Sequence, residues 1–321
     1  MKPKSCLRGV ATATTATTAT TTTAALVALI LGGAATPSRA AFTIEFDYSY
    51  DVGGFFTPTR QALMNTVASV LQARISDTLS AISPSGGDTW SAQFYSPADG
   101  TLTTVNNTTI AADTVKIYVG ARAMAGATLG VGGYGGVSAA SGSGGFISAI
   151  NDRGQAGVAG NTDFAPWGGS ISFNSSATWY TDTDPTTLEN FAGQNDLYSV
   201  ALHEVGHVLG IGTAPSWTAL ANGSHQLTGA ASVAAYGGNV PLETDNGHFQ
   251  EGTMSTVPGT ATAQEAALDP TLTVGTRKEL TDLDWAALQD IGWQVSAVPE
   301  PSTYALLGLG GVAFLGLRRR K

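Results

Sequence analysis

Asp196-Leu197-Tyr198-Ser199-Val200-Ala201-Leu202-His203-Glu204-Val205-Gly206-His207-Val208-Leu209-Gly210 is the stretch that decides how this chain folds. Leu197, Val200, Ala201, Val205, Val208 and Leu209 supply the apolar surface of a helix. Asn195 or Asp196 stands where a helix is capped, and Gly210 where one ends in a left-handed residue. Side chains four apart on a helix are neighbours, with Cβ atoms roughly 5–6 Å apart. His203 and His207 therefore share a face and can hold one metal ion between them. Glu204 faces the same cleft without being a ligand, placed to take a proton from an attacking water. With 4 histidines in 321 residues, H-E-x-x-H arises by accident in roughly one such chain per thousand, so the spacing is read as zinc-hydrolase chemistry.

A catalytic zinc takes three protein ligands and leaves a fourth position for water, so one ligand is still to be found. His203, Glu204, His207 and Gly210 match H-E-x-x-H-x-x-G and in this resemble the metzincin peptidases, the matrixins among them. Three residues beyond the glycine, where that pattern has its third histidine, stands Thr213, whose neutral hydroxyl is a poor zinc ligand. The remaining histidines are His225 and His248, and Glu243 and Glu251 are carboxylate alternatives. Gly247-His248-Phe249-Gln250-Glu251-Gly252-Thr253-Met254 resembles the leishmanolysin-like metzincins, in which the third histidine follows a long insertion and a methionine turns beneath the metal. That resemblance implies His248 as third ligand, Met254 as the turn methionine and Glu204 as general base. Tyr236 is a candidate for a further oxyanion donor.

Outward from the helix, Phe42, Ile44, Phe46, Tyr48 and Tyr50 alternate with polar residues and predict a half-buried strand. Thr57-Pro58-Thr59 opens a helix predicted to run to about Ile82. Thr114 to Gly120 reads as a second strand, parallel to the first. Gly130-Val131-Gly132-Gly133-Tyr134-Gly135 has the form of a dinucleotide fingerprint, but no helical pattern follows it, and it reads as a flexible loop. Trp167 to Asn174 reads as a short strand. By resemblance to metzincins it is the edge beside the cleft, with Gly169, Ser170, Ile171 and Ser172 pairing with substrate; any unpaired edge can add a peptide in this way. Asp163, Asp182 and Asp184 lie in loops without a strict calcium pattern, so Ca2+ is conceivable without motif support. Thr281 to Trp293 reads as a closing helix with a Thr281/Asp284 capping box, and it resembles the last helix of such peptidases. The expected fold is α+β: an α/β-like N-terminal part with a twisted mixed sheet, the zinc helix, and a loop-rich C-terminal part.

Both ends read as addresses. Lys2, Lys4 and Arg8, the apolar run Ala24 to Leu31 and Ser38-Arg39-Ala40 predict a signal peptide over residues 1–40, removed by signal peptidase. Val298-Pro299-Glu300-Pro301 precedes the apolar run Tyr304 to Leu317 and Arg318-Arg319-Arg320-Lys321, and residues 298–321 closely resemble the PEP-CTERM sorting signal of Gram-negative bacteria. That resemblance implies an exosortase as partner and a transient inner-membrane anchor before release to the cell surface or medium. A run of 14 residues spans only about 21 Å as a helix, short of a ~30 Å hydrocarbon core. Cys6, the one cysteine, falls within the expected leader, which leaves residues 41–297 as a zinc peptidase domain without disulfides. Between residues 41 and 298 there are 7 basic and 23 acidic side chains, a net charge of −16 that disfavours nucleic acid. The expected activity is metal-dependent hydrolysis of protein or peptide substrates. The competing class is an inactive surface or biofilm-matrix protein with a structural metal; Glu204 separates the two, since a structural site needs no carboxylate beside it.

Overall fold

The computed structural model describes residues 41–297 apart from 157–161, 183, 185 and 188; the expected leader and sorting signal lie outside the described residues. The elements in order are β1 (Thr43–Asp47), α1 (Pro58–Gln72), β2 (Thr89–Tyr95), β3 (Leu102–Asn106), β4 (Thr114–Arg122), β5 (Gly130–Tyr134), β6 (Gly136–Ser141), α2 (Gly144–Asn151), β7 (Gly168–Asn174), β8 (Trp179–Tyr180), β9 (Asn195–Asp196) and α3 (Leu197–Val208). There follow α4 (Pro215–Leu220), β10 (Gln226–Leu227), α5 (Ala230–Tyr236), β11 (Val240–Pro241), β12 (Met254–Thr256), β13 (Ala263–Glu265) and α6 (Asp282–Asp290).

The central sheet runs β1-β4-β7-β5. β1 pairs with β4 and β4 with β7 in parallel, whereas β5 is antiparallel to β7. The β1–β4 pairing is parallel, as the strand–helix–strand reading requires. β4 is apolar on both faces: Val115, Ile117 and Val119 enter the core shared with α1, α3 and α6, and Tyr118 enters a second core. That second core, with Trp90, Phe94, Phe146, Ile150 and Trp167, lies beneath a three-stranded sheet ordered β3-β2-β6. Its central strand had a usable signal, since Trp90, Ala92 and Phe94 alternate with polar neighbours.

Three expectations are corrected. Helix α1 starts at Pro58 under a Thr57 cap but stops at Gln72, ten residues before Ile82. Beyond it the backbone is claimed by other segments: Ser76 N–H donates to Gln294 O, Leu79 N–H to Asp113 Oδ1 and Ser80 N–H to Arg153 O. Ile75, Leu79 and Ile82 remain buried, so the apolar stripe is real while the helix is not. Secondly, Gly130 to Tyr134 is a strand in register with Gly169 to Phe173, not a loop. Thirdly, Gly169, Ser170, Ile171 and Ser172 do not form an edge. β7 has a partner on either side, with Ile171 in the core and the Ser170 and Ser172 hydroxyls donating to Tyr95 O and Pro97 O of the neighbouring layer. The exposed edge of the central sheet on this side is β5.

Arg153, fully buried, pins these layers. Its guanidinium donates to the carbonyls of Ser80, Pro166 and Thr114, the last two just before β7 and at the start of β4. Burial lowers its pKa to about 10, so it remains a cation at neutral pH.

Candidate metal centre

Helix α3 is buried at every position except His203, because the central sheet lies on one side of it and the C-terminal segments on the other. Asp196 occupies its N-cap without making a side-chain capping bond. The Asp196 carboxylate instead receives Arg277 Nε at 2.8 Å and Nη2 at 3.1 Å, together with the Ser199 hydroxyl. In the same turn Tyr198 donates to Glu279. The first turn is thereby fixed to residues 277–279, and His203 and His207 inherit that alignment.

The two imidazoles are oriented by main-chain carbonyls. His203 Nδ1 lies 2.7 Å from Ala267 O, and His207 Nδ1 lies 2.8 Å from Ile211 O. A carbonyl only accepts, so each Nδ1 carries the proton and each Nε2 presents a lone pair. His207 Nε2 is 3.0 Å from His203 Nε2 and 3.1 Å from His248 Nε2. Lone pairs facing one another at such distances repel unless a cation lies among them. Three nitrogens on a tetrahedral zinc with bonds of about 2.0–2.1 Å stand about 3.3–3.4 Å apart, so this donor set fits the metal. Burial, and after it the neighbouring His207, lowers the pKa of His203 strongly, and burial together with His248 lowers that of His207 to about 4. His248 is also lowered by burial, against the pull of Asp245 and Glu243. Neutral imidazoles are the ligating form.

His248 reaches the helix through a fold of the long insertion. Gly212, at φ +74°, is in the left-handed region, and its missing Cβ is where Gly247 O lies. Phe249, fully buried against Trp217, anchors the residue after the histidine, and its N–H donates to Leu268 O. Thr213, in the place of the usual histidine, donates its hydroxyl to His207 O at 2.7 Å and so closes the helix end. His225 lies outside the triad, its Nδ1 against Asn246 Oδ1.

Met254 is not beneath the metal site. It begins β12 and is 50% exposed, because the β12–β13 hairpin intervenes before the chain returns to α3. The floor beneath His203 is the turn Ala266–Asp269. Leu268 packs on Gly206 there, and both oxygens of buried Asp284 accept main-chain bonds, from Ala267 N–H at 2.9 Å and Leu268 N–H at 3.0 Å. The same carboxylate completes the capping box of α6 with Thr281. Asp284 was legible as a cap; its second task, carrying the floor of the site, depends on contacts that no local pattern encodes.

Glu204 is 5% exposed and sits beside the histidines under β5. In the metal-free protein, burial raises its pKa to about 8, opposed by Gly132; a divalent cation on the triad would favour the ionised carboxylate. A cleft of about 630 Å³ opens over Glu204 and the triad, bounded by Gly130–Gly132 above and by Ala267 and Leu272 below. Tyr236 does not line it, and 41% of Tyr236 is exposed on α5. Among the described residues, the groups able to hold a metal are this triad and Glu251, Glu265 and Asp269. The second group already surrounds the Lys278 ammonium, which is 2.6 Å from Asp269 and 2.9 Å from Glu265. Asp163, Asp182 and Asp184 enter neither, and Asp182 pairs with Arg277.

A matrixin family model matches residues 149–232, from α2 through the H-E-x-x-H helix to α5. Over that span the chain is matrixin-like. The similarity supports a zinc metallopeptidase of α+β architecture, and it ends before His248. A model of the PEP-CTERM protein-sorting motif matches residues 297–321, which marks the chain for export, exosortase processing and surface sorting in a Gram-negative cell. No curated protein and no solved structure matches the chain. No helix among the described residues is long and apolar enough to cross a membrane.

Proposed function

We propose that the protein is an exported zinc endopeptidase, with a peptidase domain at 41–297 between a signal peptide at 1–40 and the sorting signal at 298–321. The reading rests on the convergence of the three Nε2 atoms of His203, His207 and His248 beside a buried carboxylate under a strand edge. His203, His207 and His248 would hold a zinc ion, which would supply Lewis acidity toward a carbonyl oxygen and a water near neutral pH. The chain's own residues do the remainder. A peptide lies along the free edge of β5 by main-chain hydrogen bonding. Glu204 takes a proton from the attacking water onto its carboxylate and passes it to the amine nitrogen as the carbon–nitrogen bond breaks. Ala267 O and Ile211 O hold the Nδ1 protons of His203 and His207, keeping each Nε2 free to ligate. The matrixin similarity of residues 149–232 supports the same activity. Met254 has no role in this reading.

The test is proteolysis of unfolded protein substrates by the purified, zinc-loaded protein, with and without chelator, beside Glu204→Ala. The wild type is expected to cleave, chelation to abolish cleavage, and Glu204→Ala to keep its zinc while losing at least about 10²-fold in rate. A fully zinc-loaded wild type that leaves every substrate intact sinks the proposal.

A further inference from the structure

The strand that covers Glu204 is Gly130-Val131-Gly132-Gly133-Tyr134, and its glycines are not equivalent. Its register on β7 places Gly130 opposite Phe173 and Gly132 opposite Ile171. Asn174 N–H donates to Leu129 O, and Gly135 N–H donates to Gly168 O. Antiparallel partners alternate between bonded and non-bonded pairs. Residues 129, 131, 133 and 135 therefore bond to β7, while Gly130, Gly132 and Tyr134 turn their main-chain groups to the free edge.

The two edge-facing glycines also meet Glu204 through space. A Cβ on Gly130 would lie 2.5 Å from Glu204 Oε1 and 2.8 Å from its Cγ. One on Gly132 would lie 2.6 Å from Glu204 O and 3.0 Å from Oε2. Gly133, between them and Tyr134, has nothing within 4 Å of its Cβ position. Val131, which separates the pair, is 51% exposed, on the opposite face of the strand.

We propose that Gly130 and Gly132 are positioning residues for Glu204: their missing side chains let β5 close onto α3, so that the strand's backbone walls in the carboxylate. This rests on the peptidase reading, in which Glu204 moves the proton, and extends it to residues that act through Glu204. The strand could not carry a side chain at either position without moving the base, since carbon contacts settle at about 3.5 Å or more. A misplacement of about 1 Å costs a catalytic group on the order of 10²-fold in rate.

The experiment compares Gly130→Ala, Gly132→Ala and, away from the cleft, Gly223→Ala in the full protein, measuring zinc content, kcat and KM on one peptide, and a crystal structure of each zinc-loaded variant. The expected result is a drop of about 10²-fold in kcat for the first two, with zinc content near wild type and the Glu204 carboxylate displaced, and Gly223→Ala, whose Cβ position has nothing within 4 Å, unchanged throughout. Wild-type kcat in Gly130→Ala and Gly132→Ala overturns the inference. So does an unmoved carboxylate in both, or loss of zinc from both, which would make these glycines supports of the fold rather than of the base. If the wild type cleaves nothing, the peptidase reading fails by itself, and the position of Glu204 in the variant crystals still decides whether the glycines place it.

Discussion

His203 and His207 stand one helical turn apart on α3, whereas His248 joins them from 41 positions beyond His207. The first pair is brought together by the 3.6-residue period alone. The third depends on Gly212 lying against Gly247, on Phe249 buried beside Trp217 and on the Phe249 bond to Leu268. One metal site is thus assembled by two mechanisms, one local and one tertiary, and they are expected to fail differently.

The sharpest way to break that comparison is to remove the ligands singly. His207→Ala and His248→Ala are both expected to lose zinc by far more than the 10–100-fold that a supporting partner costs, because each deletes one of three convergent nitrogens. His225→Ala is expected to keep full occupancy, since its ring faces Asn246. Zinc content after dialysis against a weak chelator measures all three. Near-full zinc in His248→Ala would return the third position to Glu243 or Glu251.

What could be read in advance divides along the same line. Helix α3 and the Thr281/Asp284 capping box follow from periods and spacings within a dozen residues, and the parallel pairing of β1 with β4 from two strand patterns with a helix between them. Misread features have tertiary causes. The apolar stripe of α1 continues to Ile82, but Gln294, Asp113 and Arg153 take the backbone bonds a helix would have made. β5 carries no apolar alternation because it is built of glycine, and the reason for glycine lies across space in Glu204. The resemblance to metzincins makes β7 the cleft edge, yet strands pair with it on both sides and its Ser170 and Ser172 hydroxyls are spent on the adjoining layer. Met254 occupied the expected order along the chain, but a hairpin displaced it, and Ala267 took the floor.

The tertiary mechanism can be loosened without touching a ligand. Gly212→Ala would force an alanine to φ +74° with its methyl against Gly247 O. A left-handed alanine alone costs about 1–2 kcal/mol, and the clash adds to it. The expected outcome is a melting temperature lower by several degrees together with weaker zinc binding, as the loop bearing His248 backs away. Gly223→Ala, in the same insertion but with nothing within 4 Å of its Cβ position and no positive φ, is expected to stay within about 0.5 kcal/mol of wild type. Equal behaviour of the two variants would show that the approach of Gly212 to Gly247 is incidental.

The smallest expected effect separates chain order from position in space. Met254 stands after His248 as a turn methionine would, yet it is half exposed on β12 and absent from the cleft wall, while Ala267 O holds His203. A residue so exposed gives up little buried area when truncated, so Met254→Ala is expected to change stability by no more than about 0.5 kcal/mol and to leave zinc affinity where it was. Ala267→Met, at 4% exposure beneath His203, is expected to overpack the floor at a cost of about 1–3 kcal/mol and to weaken zinc. Zinc titration of the two variants ranks the positions directly. If Met254→Ala loosens the metal more than Ala267→Met does, the methionine reaches the site after all, and the floor assigned to the Ala266–Asp269 turn is wrong.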